Sequence, residues 1–136
     1  MAGEQAGRAD EWGALRDDAL EMLDRLLHVA TDTHEDLQRF SEAVARYRKH
    51  LAADGTAADF AVMINLASTR GSLSDRMAEL ERARNSARVA LWKLHVAEGA
   101  SIAEVAREWG LSRQLVSRAI SAPTPSVEPP GDAEKD

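Results

Sequence analysis

Cysteine is absent from the chain, and aromatic side chains are few. Without cysteine there is no disulfide framework, no thiolate nucleophile and no cysteine-based zinc site. β-branched residues are also scarce, whereas alanine, leucine, arginine and glutamate are abundant, and this balance favours helix over strand. No apolar run approaches the roughly 18 residues that a membrane span requires, so no membrane-spanning segment is expected.

Proline is confined to one end of the chain, because all four prolines lie in residues 123–130. Together with the four acidic residues of 122–136, they predict a disordered acidic tail over residues 122–136. Residues 1–9 are rich in glycine, alanine and charge, which predicts a flexible arm. Residues 1–11 lack the basic-then-apolar layout of a secretory signal, so a cytoplasmic protein is expected. The alanine- and arginine-rich composition points to a high-GC bacterium.

The net charge of −6 is distributed unevenly along the chain. Residues 1–71 carry a net charge of −5 and residues 122–136 a net charge of −3, whereas residues 72–121 carry +2. A surface for nucleic acid would therefore lie within residues 72–121, because phosphate contacts need local positive charge even in an acidic protein.

Helical periodicity predicts an N-terminal helical module over residues 10–71. Its first helix covers residues 10–30 with a wide apolar stripe. Its second covers residues 34–53, with Thr33 as the N-cap. Apolar residues at alternating spacings of three and four form a seam on this second helix: Leu37, Phe40, Val44, Tyr47 and Leu51. Asp54-Gly55 predicts the stop, with Gly55 in the left-handed conformation.

Two further helices are predicted before the most informative stretch of the chain. The third opens with Thr56 as its N-cap, with Asp59 three residues later, and ends at Gly71. Its apolar face consists of Phe60, Met63, Ile64 and Ala67. Ser72 is placed to cap the fourth. This helix either continues to Ala97 or breaks near Asn85-Ser86, and the sequence leaves both alternatives open.

Residues 98–123, EGASIAEVAREWGLSRQLVSRAISAP, predict two short helices at 102–109 and 113–121. Ser101 and Glu104 have the spacing of a capping box, and Ser112 is placed to cap the second helix. Between the helices, Gly110 allows a turn with positive φ. Ala106 gives the close approach that crossing helices need. The apolar positions expected to form the core are Leu91, Trp92, Val96, Ile102, Val105, Trp109, Leu111, Leu115, Val116, Ala119 and Ile120.

These features predict an all-α fold, in which the N-terminal helical module precedes a three-helix, homeodomain-like helix-turn-helix domain over residues 72–121. In a window starting at Ile102, alanine is fifth, glycine ninth and valine fifteenth, which resembles the helix-turn-helix of phage repressors. Residues 86–122 also resemble the C-terminal DNA-binding domain of DNA invertases and resolvases. Residues 1–85 do not resemble the catalytic domain of those recombinases, so the resemblance implies DNA docking without recombination chemistry.

The resemblance implies that the last helix enters the major groove of duplex DNA. Its outward residues are the predicted base contacts: Arg113, Gln114, Ser117 and Arg118. Arginine can bind guanine O6 and N7 together, and glutamine can bind adenine N6 and N7. The predicted phosphate contacts are Ser101, Ser112, Arg107, Arg88 and Lys93.

The sequence therefore predicts a sequence-specific DNA-binding protein of a bacterium. Its expected role is transcriptional regulation, or another task that recognises a DNA site, such as plasmid or phage maintenance. The wide apolar face of the first helix and the Leu37–Leu51 seam of the second either form internal core alone or close a dimer. A homodimer is expected, because DNA-binding units with one recognition helix usually work in pairs. The alternative is a non-enzymatic adaptor, in which residues 10–71 bind a protein partner and the helix-turn-helix docks on another protein.

Neither an enzyme nor a cofactor or metal site is expected. The four histidines, His28, His34, His50 and His95, form no HxxxH pair. Acidic residues occur as charge pairs on helix exteriors, for example Glu42 with Arg46. No spacing suggests a nucleophile with its base or a glycine-rich phosphate loop.

Overall fold

The computed structural model describes residues 2–59 and 73–122, and its regular elements in these ranges are all α-helical. Four helices are defined there: α1 (Ala2–Ala52), α2 (Leu73–Ala97), α3 (Ile102–Trp109) and α4 (Arg113–Ser121). The all-α prediction is confirmed for this part of the chain. Most of the predicted third helix, the Ser72 cap and tail residues 123–136 lie outside it. None of the helices in the described ranges is both long and apolar enough to cross a bilayer.

α1 is one helix of 51 residues where the sequence predicts an arm and two helices. It begins at Ala2, so residues 2–9 are helical, and it continues through the predicted break at Thr33. The Thr33 hydroxyl donates to the Val29 carbonyl at 2.7 Å and is buried, and the Thr31 hydroxyl donates to the Leu27 carbonyl. Such bonds to the preceding turn satisfy a threonine inside a helix, so the Thr33 N-cap prediction is wrong.

The least exposed side chains of α1 recur at alternating spacings of three and four residues and form what we call the buried seam. Its members are Trp12, Leu15, Ala19, Met22, Leu26, Val29, Thr33, Asp36, Phe40, Ala43 and Tyr47. This heptad spacing is typical of helices that pack lengthwise on a neighbour. Of the predicted Leu37–Leu51 seam, only Phe40 and Tyr47 belong to it. The remaining three members, Leu37, Val44 and Leu51, are exposed.

α2 packs along α1 and is continuous, so the alternative break near Asn85-Ser86 does not occur. Its buried side chains include Ala83, Ala87 and Ala90, whose small size allows the two helices to approach closely. Along α1, the buried Ala19 and Val29 come before Asp36, whereas along α2 the buried alanines at positions 83, 87 and 90 come after Arg76. Because Asp36 and Arg76 are in contact, α1 and α2 must run antiparallel.

An ion pair fixes the register of the two long helices. Arg76 Nε donates to Asp36 Oδ2 at 2.7 Å, and Arg76 Nη1 donates to Glu79 Oε2 at 3.2 Å. The hydrogen bond to Asp36 raises the pKa of Arg76 above its ordinary value. Arg76 therefore holds a carboxylate from each helix, close to the point where α2 begins.

α1 ends in a turn whose conformation differs from the predicted one. Asp54, not Gly55, adopts the left-handed conformation, with φ of 69°. The Gly55 N–H donates to the His50 carbonyl at 2.8 Å. A Cβ atom at position 55 would lie 2.6 Å from that carbonyl oxygen and would overlap the His50 ring. Glycine is therefore required at position 55 for lack of space, not for positive φ.

The same turn is closed by side chains. His50 Nε2 lies 2.6 Å from Asp59 Oδ2, and the Thr56 hydroxyl donates to the same carboxylate at 3.1 Å. Thr56 thus bonds the Asp59 side chain, whereas a cap would accept the Asp59 amide. The His50 contact, followed by the Thr56 hydrogen bond, lowers the pKa of Asp59 because both stabilise its charged form.

We expect Asp54→Gly to be more stable than Asp54→Ala by about 1 kcal/mol, because only glycine adopts positive φ without a Cβ clash. Both substitutions remove the same negative charge near a helix C-terminus, so their difference isolates the backbone conformation. Urea unfolding of the two variants measures this difference. Equal stabilities would contradict a left-handed residue at position 54.

Candidate functional site

The start of α3 is fixed by a reciprocal cap. The Ser101 hydroxyl oxygen accepts the Glu104 N–H at 3.1 Å, and the Glu104 carboxylate accepts the Ser101 N–H at 3.4 Å. Ser101 itself has extended backbone angles, as an N-cap residue should. The predicted capping box is confirmed, and α3 has the predicted bounds.

The turn between α3 and α4 depends on Gly110. This residue adopts φ of 67°, and no atom lies within 4 Å of a Cβ built there, so its backbone conformation alone favours glycine. The Leu111 N–H then donates to the Ala106 carbonyl at 2.8 Å, closing the end of α3. Ser112 accepts the Leu115 N–H at 3.1 Å and caps α4, also as predicted.

One side chain from α2 organises the packing of α3 and α4. Trp92 is fully buried and packs with Val105 and Ala106 of α3 and Val116 of α4. Around this cluster lie half-buried residues: Val89, Val96, Ala100, Ile102, Leu111, Ala119 and Ile120. The three elements therefore share one small core, to which most of the predicted apolar positions contribute.

The two tryptophans of this region differ in exposure. Trp109 meets the Trp92 ring edge-on, with ring centroids 5.7 Å apart, yet is 44% exposed. The core prediction is therefore right for Trp92 and only partly right for Trp109. Leu115, another predicted core residue, is also exposed. The Trp92 indole N–H has no hydrogen-bond partner in the described part of the chain.

An open groove lies between the start of α3 and the outer side of α4, and we call it the α3–α4 groove. Its lining residues are Ser101, Ile102, Ala103, Arg113, Gln114, Ser117 and Arg118. All four predicted base-contact residues therefore lie together, and the predicted phosphate contact Ser101 joins them. No acidic side chain lines this groove, although the chain as a whole is acidic.

The groove is equipped mainly to donate hydrogen bonds. Arg113 and Arg118 are exposed, and neither forms an ion pair within residues 2–59 and 73–122. Gln114 is exposed beside them and can both donate and accept. The Ser101 oxygen accepts from its own helix, so its hydroxyl hydrogen remains available to donate. Such a surface suits a ligand rich in acceptor oxygens and negative charge.

The other predicted phosphate contacts lie outside the groove lining. Ser112 and Arg107 are exposed on either side of the turn, and Lys93 is half-buried on α2. The Arg88 guanidinium donates to Asn85 Oδ1 at 3.1 Å and lies over the Trp92 ring, 5.3 Å from its centroid. Arg88 is thus held within the protein by two contacts.

Two groove residues were not predicted as part of the site. Ile102 was assigned to the core alone, and Ala103 was not singled out. Both directly follow the Ser101 cap, and this position is the only signal that the sequence offers. In the first turn of a helix, backbone N–H groups lack intrahelical acceptors, so a ligand can approach there.

Within the described ranges, no three side chains of the metal-ligating types lie close enough together to hold an ion. His95 lies 3.5 Å from Glu108 and links α2 to α3 as an isolated pair. No protein-family model, curated protein or solved structure matches the chain. Its function is therefore inferred from the residues of the α3–α4 groove.

We expect Trp92→Ala to lower the free energy of unfolding by about 3–5 kcal/mol, because it leaves a cavity between three helices. Trp92→Phe should cost far less, since the benzene ring retains the contact with Trp109 and the indole N–H without a partner is removed. Chemical denaturation of both variants gives the comparison. If Trp92→Phe were as damaging as Trp92→Ala, an essential hydrogen bond of the indole would be indicated.

Proposed function

We propose that the protein binds duplex DNA through the α3–α4 groove and regulates transcription. In this proposal α2, α3 and α4 act as a helix-turn-helix, with α4 inserted into the major groove. The observation that carries the proposal is the convergence of Arg113, Gln114, Ser117 and Arg118 with Ser101 in one groove free of acidic side chains.

The dimensions of α4 fit this role. The nine residues of α4 make a helix about 13.5 Å long. An α-helix with its side chains is about 10–12 Å in diameter, which fits a major groove about 12 Å wide. From Arg113 to Arg118 the axial distance is about 7.5 Å, close to two base-pair rises of about 3.4 Å. Each copy of α4 would therefore read only two or three base pairs.

The charge distribution favours a small number of phosphate contacts. Residues 1–71 are acidic and would be repelled by DNA, whereas residues 72–121 carry the positive charge. Each neutralised phosphate contributes about −0.9 to the slope of log K against log salt. Ser101, Ser112, Arg107 and Lys93 are the proposed contacts, and Arg88 would first have to leave Asn85.

A homodimer is part of the proposal. A single helix that contacts two or three base pairs cannot select one site in a genome, whereas two half-sites multiply affinity and specificity. The exposed leucines of α1 supply apolar surface for such pairing. The competing adaptor function would use the same surface for a different protein, and it predicts no salt-dependent affinity for DNA.

Arg113→Ala and Arg118→Ala should each weaken binding to a specific duplex by about 1–3 kcal/mol, or roughly 5- to 150-fold, if each arginine contacts a base. Arg82→Ala is the matched control, because it removes the same charge from an exposed arginine of α2 that does not line the groove. Fluorescence anisotropy over a range of salt concentrations measures affinity and slope together. Equal losses in all three variants would mean that only net charge matters.

Sedimentation should show a dimer at micromolar concentrations, and Leu27→Glu should convert it to a monomer, because Leu27 is 68% exposed on α1 and its loss costs the fold little. Ala14→Glu is the matched control, since it also introduces one acid at an exposed position of α1. A monomeric wild-type chain, or equal effects of both substitutions, would contradict dimerisation through this helix.

A further inference from the structure

The two flanks of the buried seam of α1 have opposite character. One flank of the seam carries what we call the exposed stripe: Leu20, Leu23, Leu27, Leu37, Val44 and Leu51, which are 37–68% exposed. The first five lie one residue after a seam position, and Leu51 follows Val44 at the same heptad spacing. One residue before the seam positions, the side chains are polar except for Ala14, and all but His28 among them are charged at neutral pH: Glu11, Asp18, Glu21, Arg25, His28, Asp32, Glu35, Arg39, Glu42 and Arg46. A helix that served only to pack on α2 would be polar on both flanks.

The exposed stripe is long and contains most of the exposed large hydrophobic side chains of the described ranges. It contains six of the nine large hydrophobic side chains that are exposed in the described ranges. From Leu20 to Leu51 it extends about 46 Å along the helix axis. His34, Ser41 and Arg48 interrupt the stripe, so it is a row of exposed apolar side chains on one face of the helix. Exposed apolar side chains that cluster in this way mark interaction sites in soluble proteins.

We propose that a second copy of this chain covers the exposed stripe, with the two α1 helices antiparallel and the symmetry axis between Glu35 and Asp36. This inference rests on the homodimer of the proposed function and adds its surface, orientation and register.

The spacing of the stripe is self-complementary in this register. Antiparallel coiled helices place the first apolar position of a heptad opposite the second apolar position of the partner. The facing pairs are Leu20 with Leu51, Leu27 with Val44, Leu37 with His34, and Leu23 with Arg48. Leu20, Leu27 and Leu37 then each meet an apolar or aromatic side chain. Arg48 can lay its aliphatic stem over Leu23 and keep its charge in water.

The charges of α1 select the antiparallel orientation over the parallel one. Residues 17–24 contain four acidic side chains and no basic one, whereas residues 46–50 contain Arg46, Arg48 and Lys49 and no acidic one. The antiparallel register brings the acidic segment of each copy against the basic segment of the other. In a parallel pair, the acidic segments of the two copies would face each other, and Arg48 would face Arg48 along the exposed stripe. Both contacts are repulsive.

The dimer leaves the contact between α1 and α2 intact. Successive residues of a helix are about 100° apart around its axis, so the exposed stripe points about 100° from the buried seam. A helix in a four-helix bundle faces its two neighbours at nearly this angle. Two copies of the α1–α2 hairpin can therefore form a bundle without moving either helix.

The register also fixes where the two grooves lie. Asp36 and Arg76 are in contact. Trp92 lies sixteen residues after Arg76 in α2, and Leu20 lies sixteen residues before Asp36 in α1. Because the two helices are antiparallel, Trp92 is level with Leu20 of the same chain. The Trp92 clusters of the two copies would then be separated by about 46 Å along the helix axes, at opposite ends of the dimer. A parallel dimer would bring them level with each other.

Because the chain has no cysteine, single introduced cysteines report the register directly. Leu20→Cys and Leu51→Cys variants are prepared separately, mixed in reductant so that subunits exchange, and then oxidised mildly. We expect a disulfide joining position 20 of one copy to position 51 of the other, formed only in the mixture, because these two Cα atoms come within disulfide range. Arg25→Cys mixed with Arg46→Cys is the control, since it has the same register on the charged flank.

Each outcome decides the proposal. A 20–51 disulfide in the mixture, with none in the control, supports the antiparallel stripe. Self-linking of Leu20→Cys alone shows a parallel dimer, and efficient linking of the control places the interface on the other flank. No linking at all shows that the stripe is not covered by a second copy. The assay contains no DNA, so each result stands apart from the test of DNA binding.

Discussion

The enclosure of Trp92 is the contact on which the arrangement of the α3–α4 groove depends. This side chain is the point where α2 meets both short helices, and α3 and α4 are too short to be stable without tertiary packing. Gly110 and the caps Ser101 and Ser112 set the bounds of the short helices, but they do not fix their position on α2. Packing around Trp92 does so, and it thereby holds the arginines of α4 beside the first turn of α3.

The long helix α1 has a different task from the short pair. Its buried seam holds α2 in register, while its acidic character discourages contact with phosphate away from the groove. Repulsion of this kind lowers non-specific affinity, so selectivity for particular sequences can be high even when total affinity is modest. In the proposed dimer, the exposed stripe would bring a second groove to the same duplex, so that a few base contacts per copy would suffice.

The short helices were predictable from the sequence because local signals fix them. The caps at Ser101 and Ser112 bond backbone groups three residues away, and Gly110 turns the chain between the helices. Both short helices therefore have the predicted bounds. The long helix was not, since Thr33 resembles a cap but bonds the preceding turn, and no local signal distinguishes the two cases. Nor could the buried seam be separated from the exposed stripe, because both are apolar and only the position of α2 decides which is covered. The convergence of the groove residues likewise needed the packing around Trp92.

The claim that the α3–α4 groove reads DNA is tested most directly by selecting bound sequences from a random duplex pool with the full chain. The account predicts that a short sequence motif is enriched, that the motif contains guanine where arginine can bind O6 and N7, and that it occurs twice in each selected duplex with two-fold symmetry. A pool that remains random after repeated selection would contradict the claim.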